Sequence, residues 1–467
     1  MEEPPPPYEA APNGRKSSRL NLYCLQYVFC ALVLWITLAN LIAFYLLPAL
    51  EPAFDGQTRE PKSSERESEI RFTTVQEVLE RFLAAVPEAV LVDAKILQDI
   101  SSFRWQDFSR RPHRLLTFFL LQDRLDCEAL AALAPALPAH LFCKQDASHA
   151  LLTSTPLTIH AVALRKSSGG LLAASSLLSG DEQALEAIGV GQETKGLLFL
   201  DHQARIPPFR FSTQSLDSVT IRLPTNIPSF LRHLTDSRYL PCDEAQAEAF
   251  AADYPSQRTE SEERYRRVAR GILSLASQSL RKLGIEHQLS SGTFLGWFRQ
   301  CDIIGWAADV DLGIRWQPHL PITQIIHALE EAGFQLKMRL GRANDSLQLS
   351  FFMKDVKLDI YFFYPEPSNS SRLYNSATKP ETGEYYWYYF DAFNLCWSEL
   401  LGLEVQVPCP PLPYILANYG EVWRMPNESW DWRHSPPNAQ FQGVWPADSH
   451  SETLQVYHHH SPRDLEL

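Results

Sequence analysis

A long uncharged apolar segment near the N-terminus most restricts how this chain can fold. Residues 20–47 form a run of 28 positions without Asp, Glu, Lys or Arg. About 20 apolar residues suffice to cross the hydrocarbon core of a bilayer, whereas the apolar core of a cleaved signal peptide has roughly 7–15. The run is therefore predicted to be an uncleaved transmembrane anchor, and the rest of the chain is predicted to fold outside the membrane.

The charges that flank the anchor predict its orientation. Three basic residues, the last of them Arg19, precede it, and two acids, the first of them Glu51, follow it. Because basic residues stay preferentially on the cytoplasmic side, residues 1–19 are predicted to be a cytosolic tail. The polar residues 48–69 then form a lumenal linker, which gives type II topology.

Three Asn-x-Ser triplets are compatible with a lumenal position, at Asn344, Asn369 and Asn427. Such triplets are acceptors for N-linked glycans when they lie on the surface of a secreted or lumenal domain. Asn369 and Asn427 are the predicted glycosylation sites.

Charge argues against a nucleic-acid partner. The formal net charge is -13, and no basic block follows the N-terminal region. Affinity for a phosphate backbone comes largely from clustered Lys and Arg, so nucleic-acid binding is not expected. A single phosphorylated donor is still compatible with this charge, because a metal ion can supply the positive charge locally.

Eight cysteines are present, of which two lie in the anchor and none forms a C-x-x-C pair. A zinc ribbon is therefore not expected. The other six are compatible either with disulfides in an oxidising compartment or with free buried thiols, and the sequence does not choose among the pairings.

The lumenal part has mixed α/β character (α/β, or α+β). Residues 70–245 contain apolar runs of strand length at 115–120 and 197–200, and stretches with helical spacing at 77–86 and 181–188. They carry no phosphate-binding loop and no acidic pair beside a strand, so they are predicted to be a non-catalytic α/β domain.

A second domain is predicted over residues 246–467. It opens with an amphipathic helix over about 261–283, which Gly284 ends. A short strand then leads into the small residues Gly292 and Thr293, and a helix follows. Small residues at such a turn let backbone N–H groups approach a phosphate, and Arg299 on that helix has a planar side chain suited to phosphate.

Three acids carry the strongest chemical signal. Asp309 and Asp311 alternate within an apolar strand, so both carboxylates point to one face. Asp359 lies in the second strand of a hairpin over 346–363, among apolar residues where an unpaired charge is costly. Carboxylates held this close repel unless a cation lies between them, and Mg²⁺ or Mn²⁺ prefers such oxygen ligands. The three acids are therefore the predicted catalytic and metal-binding residues, on a mixed sheet like that of nucleotidyltransferases.

Aromatic residues cluster farther along the chain, at Tyr419 and around Trp430 and Trp432. Their faces suit a sugar ring or a nucleobase, and they are equally common in protein cores. They are predicted substrate-binding residues, with a purely structural role as the alternative.

Several separated motifs, in this order, resemble the LicD-type phosphotransferase family of the nucleotidyltransferase superfamily over roughly 260–446. They are Gly292-Thr293-Phe294-Leu295-Gly296-Trp297-Phe298-Arg299-Gln300-Cys301-Asp302, Asp309-Val310-Asp311, Lys357-Leu358-Asp359, Tyr419-Gly420 with Trp423, and Trp430-Asp431-Trp432 with Ser435-Pro436-Pro437-Asn438. Bacterial relatives often carry further acids just before the Asp-x-Asp pair, where this chain has Ala307 and Ala308, so a wider acid cluster is not assumed.

This resemblance implies a Golgi ribitol-5-phosphate transferase that acts in protein O-mannosylation. Its donor would be CDP-ribitol, and its acceptor the N-acetylgalactosamine of the phosphorylated O-mannosyl glycan on α-dystroglycan. Fukutin-related protein and the other O-mannosylation enzymes would be its partners. The metal ligands of the family map onto Asp309, Asp311 and Asp359.

Three other functions remain open from the residues alone. A nucleotidyltransferase would release pyrophosphate, and a glycosyltransferase that uses the Asp-x-Asp pair would release a nucleoside diphosphate. A non-enzymatic Golgi scaffold would keep its activity without Asp309 and Asp311.

Overall fold

The computed structural model describes most of the chain that follows residue 74. The chain divides into two compact units, Met1–Arg66 and Glu67–Leu467, and the second contains every described residue. These are residues 75–105, 115–133, 140–154, 157–167, 170–177, 197–199, 201–216, 218–255 and 258–457. Among them, no helix is long and apolar enough to cross a membrane. The predicted anchor over residues 20–47 lies outside this part of the chain.

The N-terminal region is built on a seven-stranded sheet. Its strands are β1 (Val90–Leu91), β2 (Leu115–Leu120), β3 (His140–Cys143), β4 (His149–Ser154), β5 (Leu157–Ala163), β9 (Phe211–Leu216) and β10 (Val219–Pro224), in the order β3-β4-β5-β2-β1-β10-β9. The pairs β2–β5 and β1–β10 are parallel and the others are antiparallel. A small antiparallel sheet adds β6 (Arg165–Lys166), β7 (Leu172–Ala174) and β8 (Ala204–Ile206).

Helices cover this sheet. They are α1 (residues 75–85), α2 (Ala94–Ser101), α3 (Cys127–Leu133) and α4 (Ile227–Thr235). The expected strand at 115–120 and helix near 77–86 are confirmed, so the α/β character of this region is confirmed. The prediction of a strand at 197–200 was wrong. Residues 198–199 form a turn, in which Phe199 has a positive φ of 57°. Leu197 and Phe199 are buried there as turn residues. The stretch at 181–188 lies outside the described residues.

The C-terminal region is built on a nine-stranded mixed sheet. Its strands are β11 (Gln288–Leu289), β12 (Asp309–Arg315), β13 (Gln335–Arg342), β14 (Asp345–Met353), β15 (Val356–Glu366), β16 (Asn369–Thr378), β17 (Glu384–Asp391), β20 (Ala439–Val444) and β21 (Leu454–Val456). Seven of them follow the order β20-β17-β16-β15-β14-β13-β21, and β12 pairs with β11 on one side and with β15 on the other. The hairpin β18 (Asn394–Leu400) and β19 (Leu403–Cys409) forms a separate two-stranded sheet.

The helices of this region are α5 (Glu244–Asp253), α6 (Glu260–Lys282), α7 (Ser291–Gln300), α8 (Ile322–Glu331), α9 (Pro411–Tyr419) and α10 (His450–Thr453), with a 3₁₀ turn at Ala447–Ser449. α6 begins with a capping box, in which Thr259 and Glu262 exchange hydrogen bonds. It buries Ile272, Leu273, Ala276 and Leu280 in the core. Gly284 follows with a φ of +70°. The predicted helix and its end are therefore confirmed.

The six cysteines that follow residue 47 are all paired. The disulfides are Cys127–Cys143, Cys242–Cys301 and Cys396–Cys409. Of the two alternatives left open by the sequence, the structure has disulfides. Cys242–Cys301 matters for the site, because it fixes the C-terminal end of α7 to the segment before α5.

Candidate active site

The three predicted acids meet because β12 and β15 run parallel in one register. Asp311 lies directly across from Asp359, and Asp309 lies across from Lys357. Side chains directly opposite each other on neighbouring strands point to the same face. The hairpin of β14 and β15, predicted beside the first acidic strand, is confirmed. Ligand atoms of Asp309, Asp311 and Asp359 all lie within 4.8 Å of one another.

The cluster is mostly removed from water. Asp311 and Asp359 are 4% and 1% exposed, whereas the side chain of Asp309 is 36% exposed. Burial raises the pKa of Asp309 above its usual value. Burial and the charges of Asp309 and Asp359 raise the pKa of Asp311 well above its usual range. For all three buried carboxylates to be ionised together, a cation must therefore lie among them.

Lys357 belongs to the site, although the sequence predicted no role for it beyond its place in the motif Lys357-Leu358-Asp359. Its Nζ lies 2.8 Å from Asp359 Oδ2 and 3.4 Å from Asp309 Oδ2. Burial alone would lower the pKa of Lys357, but Asp359 and Asp309 raise it above its usual value, so the ammonium stays charged. The signal was available, because Lys357 lies two positions before Asp359 and a strand repeats every two residues. One ammonium beside three carboxylates still leaves an excess of negative charge.

Hydroxyl groups hold Asp359 in place. Ser350 Oγ donates to Asp359 Oδ1 at 2.5 Å, and Tyr361 OH donates to Asp359 Oδ2 at 3.4 Å. Ser350 faces Asp359 across the β14–β15 pair. Burial and the nearby carboxylates raise the pKa of Tyr361 well above its usual value, so the phenol stays protonated and donates. These contacts fix the Asp359 side chain for ligation.

The small-residue turn positions Asp311. Gly292 N donates to Asp311 Oδ2 at 3.1 Å, and the backbone N of Asp311 donates to Thr293 Oγ1 at 2.8 Å. A Cβ on Gly292 would stand 3.5 Å from Asp311 Oδ2, which is ordinary van der Waals contact, so the backbone N–H rather than the missing side chain is what Gly292 contributes to Asp311. Gly292 lines the cavity described below, whereas Thr293 is not among its lining residues and is buried. Thr293 thus contacts the acid rather than the cavity.

A cavity of about 680 Å³ opens above the acids. The predicted residues that line it with Asp309, Asp311 and Asp359 are Gly292, Arg299, Tyr419, Trp430 and Trp432. Lys357 also lines it. The arrangement thus combines a charged floor with aromatic walls, which suits a ligand that carries both phosphate and rings.

Arg299 is a buried cation in this wall. It is 2% exposed, and its guanidinium lies 4.6 Å above the Phe250 ring and donates to Gln300 Oε1 at 2.9 and 3.2 Å. Burial lowers its pKa to about 10, so it is charged at neutral pH. Arg299 forms no ion pair with any carboxylate of the described residues, and its charge is available to an anion in the cavity.

The aromatic residues differ in how far they belong to the core. Tyr419 is 9% exposed, packs 4.9 Å from the Trp430 ring, and has its pKa raised well above the usual range by burial. Trp432 packs edge-on against Tyr386 at 5.7 Å. Each therefore supports the cavity wall and also lines the cavity, so the structural role is present and the substrate-binding role stays a prediction.

The two predicted glycosylation asparagines are exposed. Asn369 opens β16, and its Oδ1 accepts from Ser371 N. Asn427 lines the cavity at its exposed edge, and its Oδ1 accepts from Ser429 N.

The donor set fits a hard divalent cation. Among the described residues, the three acids are the group of His, Cys, Asp or Glu side chains that could hold a metal ion. All its ligand atoms are carboxylate oxygens, which Mg²⁺ and Mn²⁺ prefer. The excess of negative charge, the burial of Asp311 and the hydrogen bonds that orient Asp359 suit such an ion.

Paired acids on adjacent strands beside a small-residue turn define the class of nucleotidyltransferase-like domains. Residues 284–410 match the family described as LicD/FKTN/FKRP, nucleotidyltransferase domain. That stretch contains all three acids and Lys357. The resemblance to the LicD-type family is therefore confirmed over this part of the chain.

The similarity to individual proteins is more specific. The chain is 42% identical over 244 residues to ribitol-5-phosphate transferase FKTN of Homo sapiens, and 43% identical over 244 residues to that of Mus musculus. Each match covers 52% of this chain and 52% of the relative, so the chain spans about half the length of the curated relatives it matches. A Caenorhabditis elegans protein, T07A5.1, is 30% identical over 165 residues, which is 34% of this chain and 43% of that protein.

Among solved structures, the Megavirus polyadenylate synthase is similar at a TM-score of 0.20 and 7% identity, over 68% of this chain and 66% of that one. A likeness at that level supports no statement about this fold.

Proposed function

We propose that this protein is a metal-dependent ribitol-5-phosphate transferase. The observation that carries the proposal is the convergence of three carboxylates within 4.8 Å beneath a cavity that also presents Arg299 and Lys357. The mammalian relatives are ribitol-5-phosphate transferases by name, which supports ribitol 5-phosphate as the group transferred. The donor is CDP-ribitol, and the acceptor is a hydroxyl of the N-acetylgalactosamine in the phosphorylated O-mannosyl glycan of α-dystroglycan.

Asp309, Asp311 and Asp359 would hold Mg²⁺ or Mn²⁺. A divalent ion there would neutralise the donor diphosphate and the charge that develops on the leaving phosphate. Other groups orient the carboxylates for this ion. Gly292 N–H and the Thr293 hydroxyl fix Asp311, and Ser350 and Tyr361 fix Asp359.

The two cations of the cavity bind the donor. Lys357 compensates Asp309 and Asp359 in the structure, and its flexible side chain can turn toward a phosphate oxygen when these acids ligate a metal ion. Arg299 is fixed by Phe250 and Gln300 and offers a second positive charge. Burial strengthens both interactions, because the local dielectric is low.

The reaction is an in-line displacement at phosphorus. An acceptor hydroxyl oxygen forms a bond to the phosphorus that bears ribitol, and the bond from that phosphorus to the CMP oxygen breaks. The hydroxyl proton passes to a carboxylate of the cluster or to water. The products are the ribitol-phosphate diester of the acceptor and CMP.

The family resemblance implies a Golgi enzyme, and the anchor predicted over residues 20–47 would leave the catalytic domain on the lumenal side of that membrane. There it would act beside the other O-mannosylation enzymes, among them fukutin-related protein. The paired cysteines fit an oxidising lumen.

The test is a transfer assay with the full-length chain, CDP-ribitol, Mg²⁺ or Mn²⁺ and the O-mannosyl glycopeptide. CMP release with a gain of one ribitol phosphate on the peptide is expected, and Asp309→Ala should abolish both while its melting curve shows a folded protein. Release of pyrophosphate would indicate nucleotidyl transfer, and release of a nucleoside diphosphate would indicate glycosyl transfer. Unchanged function in Asp309→Ala would favour a scaffold.

A further inference from the structure

An exposed tryptophan at the mouth of the cavity makes no contact that would explain it as a packing residue. Trp306 lines the cavity and is 42% exposed. Within the described residues, its indole makes no ring contact and its Nε1 has no hydrogen-bond partner. The other cavity tryptophans each pack on a neighbour: Trp423 on Phe298, Trp430 on Tyr419 and Trp432 on Tyr386. Of these four, Trp306 alone has no ring packed against it in the described part of the chain, so both of its faces are available to a ligand.

The loop that carries Trp306 is braced at its start. Cys301 is joined to Cys242 by a disulfide. Asp302, which is 8% exposed, pairs with Arg258 at 2.5 Å and with Arg266 at 3.0 Å. Gln300 Nε2 donates to Ile303 O at 2.9 Å. The first half of the loop is therefore fixed from three directions.

The end and the tip of the loop are fixed as well. Ala307 N donates to Ile304 O at 3.1 Å, which closes a turn with Gly305 and Trp306 at its centre. Ala308 O accepts from Lys357 N at 3.3 Å, so the turn leads straight into the acidic strand. A large apolar ring on a rigid loop is costly to leave in water and loses little conformational entropy when it binds.

The position of Trp306 relative to the three acids indicates which ligand contacts its ring. Asp309 is the most exposed of the three acids, at 36% of its side chain, and Trp306 precedes it by three residues. The acceptor must reach the reacting phosphorus from solvent, past this exposed acid. Gly305, Ala307 and Ala308 around the ring are uncharged, and the nearest charge beside Gly305 is the carboxylate of Glu262, so this surface suits a neutral sugar better than an anionic phosphate.

We propose that Trp306 is the acceptor platform, on which a pyranose ring of the acceptor glycan stacks. This rests on the proposed function. A pyranose presents an apolar C–H face, which packs on an indole, and a rim of hydroxyls, which the same contact leaves free. Stacking on Trp306 would thus hold the sugar while one hydroxyl points toward Asp309. Trp306 would determine acceptor affinity without contacting the donor.

The test separates glycan binding from transfer. The acceptor glycopeptide is titrated into the full-length chain without donor, by saturation-transfer NMR or calorimetry, and the KM for CDP-ribitol is measured in the transfer assay. Trp306→Ala should weaken glycopeptide binding by about tenfold and leave the donor KM within about twofold. Trp306→Tyr, which keeps a flat ring, should restore most of the affinity. Phe211→Ala, which removes an aromatic ring of similar exposure (38%) on β9 of the other large sheet, outside the cavity lining, should change neither value.

Each outcome decides one proposal. Wild-type glycopeptide affinity in Trp306→Ala overturns the platform, and so does a higher donor KM with unchanged glycopeptide affinity, which would place a nucleobase on the ring. Glycopeptide binding that depends on Trp306, in a chain that releases no CMP from CDP-ribitol, keeps the platform and refutes the proposed donor.

Discussion

The two large sheets of this molecule bury titratable groups in opposite ways. In the N-terminal sheet, His149 on β4 and His160 on β5 are both fully buried, and His149 Nδ1 lies 3.0 Å from His160 Nε2. His149 Nε2 lies 2.8 Å from the carbonyl oxygen of Ser175. Burial lowers the pKa of His149 to about 4 and that of His160 well below its usual value. The pair is neutral at neutral pH and needs no counter-ion.

In the C-terminal sheet, burial brings together charges of one sign. Asp309, Asp311 and Asp359 converge, and Lys357 compensates them only in part. Both sheets contain a parallel pair of strands, β2–β5 and β12–β15. Their topology therefore does not separate them. The comparison teaches that an uncompensated buried charge, rather than the fold, marks the site.

The largest effect should come from removing one charge of the cluster. Asp311→Asn should lower transfer by on the order of 10³-fold or more, because it removes a metal ligand and its alignment. The same change should raise the melting temperature of the metal-free chain, since it relieves repulsion between buried carboxylates. Turnover and thermal melting in EDTA measure the two effects. Asp355→Asn, on the exposed turn between β14 and β15, is the matched control and should change neither.

Lys357 allows a sharper test of the charge balance. Its ammonium occupies the same carboxylates that a cation would use, so Lys357→Met should tighten Mn²⁺ binding without donor by about tenfold. The donor KM should rise at the same time by at least about tenfold, because a phosphate contact is lost. Lys357→Arg keeps the charge and should resemble the wild type in Mn²⁺ affinity. Weaker Mn²⁺ binding in Lys357→Met would mean that Lys357 supports the site in another way.

Acid should affect the two sheets in opposite directions. The folded pKa of His149 is lowered, so its stabilisation is present above pH 6.5 and is lost as pH falls toward about 4, an effect on the order of 3 kcal/mol. The folded pKa of Asp311 is raised, so the metal-free chain gains stability at this residue as pH falls through that raised value. Hydrogen exchange of β4–β5 and β12–β15 peptides at pH 7 and pH 5 should show these opposite trends. His149→Gln should flatten the first trend alone, and parallel trends in both sheets would break the comparison.

The smallest predicted effect concerns the hydroxyl behind the cluster. Thr293→Val keeps the side-chain volume but leaves the buried N–H of Asp311 without its acceptor, which should cost about 2 kcal/mol of unfolding free energy. Thr293→Ser keeps the acceptor and should cost less. Urea denaturation of both variants measures the difference. Equal losses would assign the effect of Thr293 to packing.

Much of the site could be predicted because strand geometry is periodic. Asp309 and Asp311 share a face by the two-residue repeat, and the hairpin that carries Asp359 was visible in its alternating apolar residues and its turn at Lys354-Asp355. The same repeat places Lys357 on the face of Asp359, but the sequence was examined there for acids alone.

Other features depend on tertiary contacts that a sequence does not display. Cys242 and Cys301 are 59 residues apart and meet only because α5 packs beside α7. The burial of Arg299 beside Phe250 follows from the same packing. The apolar run at 197–200 has the composition of a strand, yet its described residues, 197–199, are buried without forming one, since an apolar side chain can be buried from a turn as well as from a strand.

The proposed function depends most on the three buried carboxylates forming one divalent-cation site. Electron paramagnetic resonance during a Mn²⁺ titration of the full-length chain tests this directly, with Asp311→Asn and Asp355→Asn alongside. We expect saturable Mn²⁺ binding by the wild type and by Asp355→Asn, and loss of binding in Asp311→Asn. Adding CDP-ribitol to the wild type should change the spectrum of the bound Mn²⁺. Equal Mn²⁺ binding by the wild type and Asp311→Asn would contradict the proposed cation site.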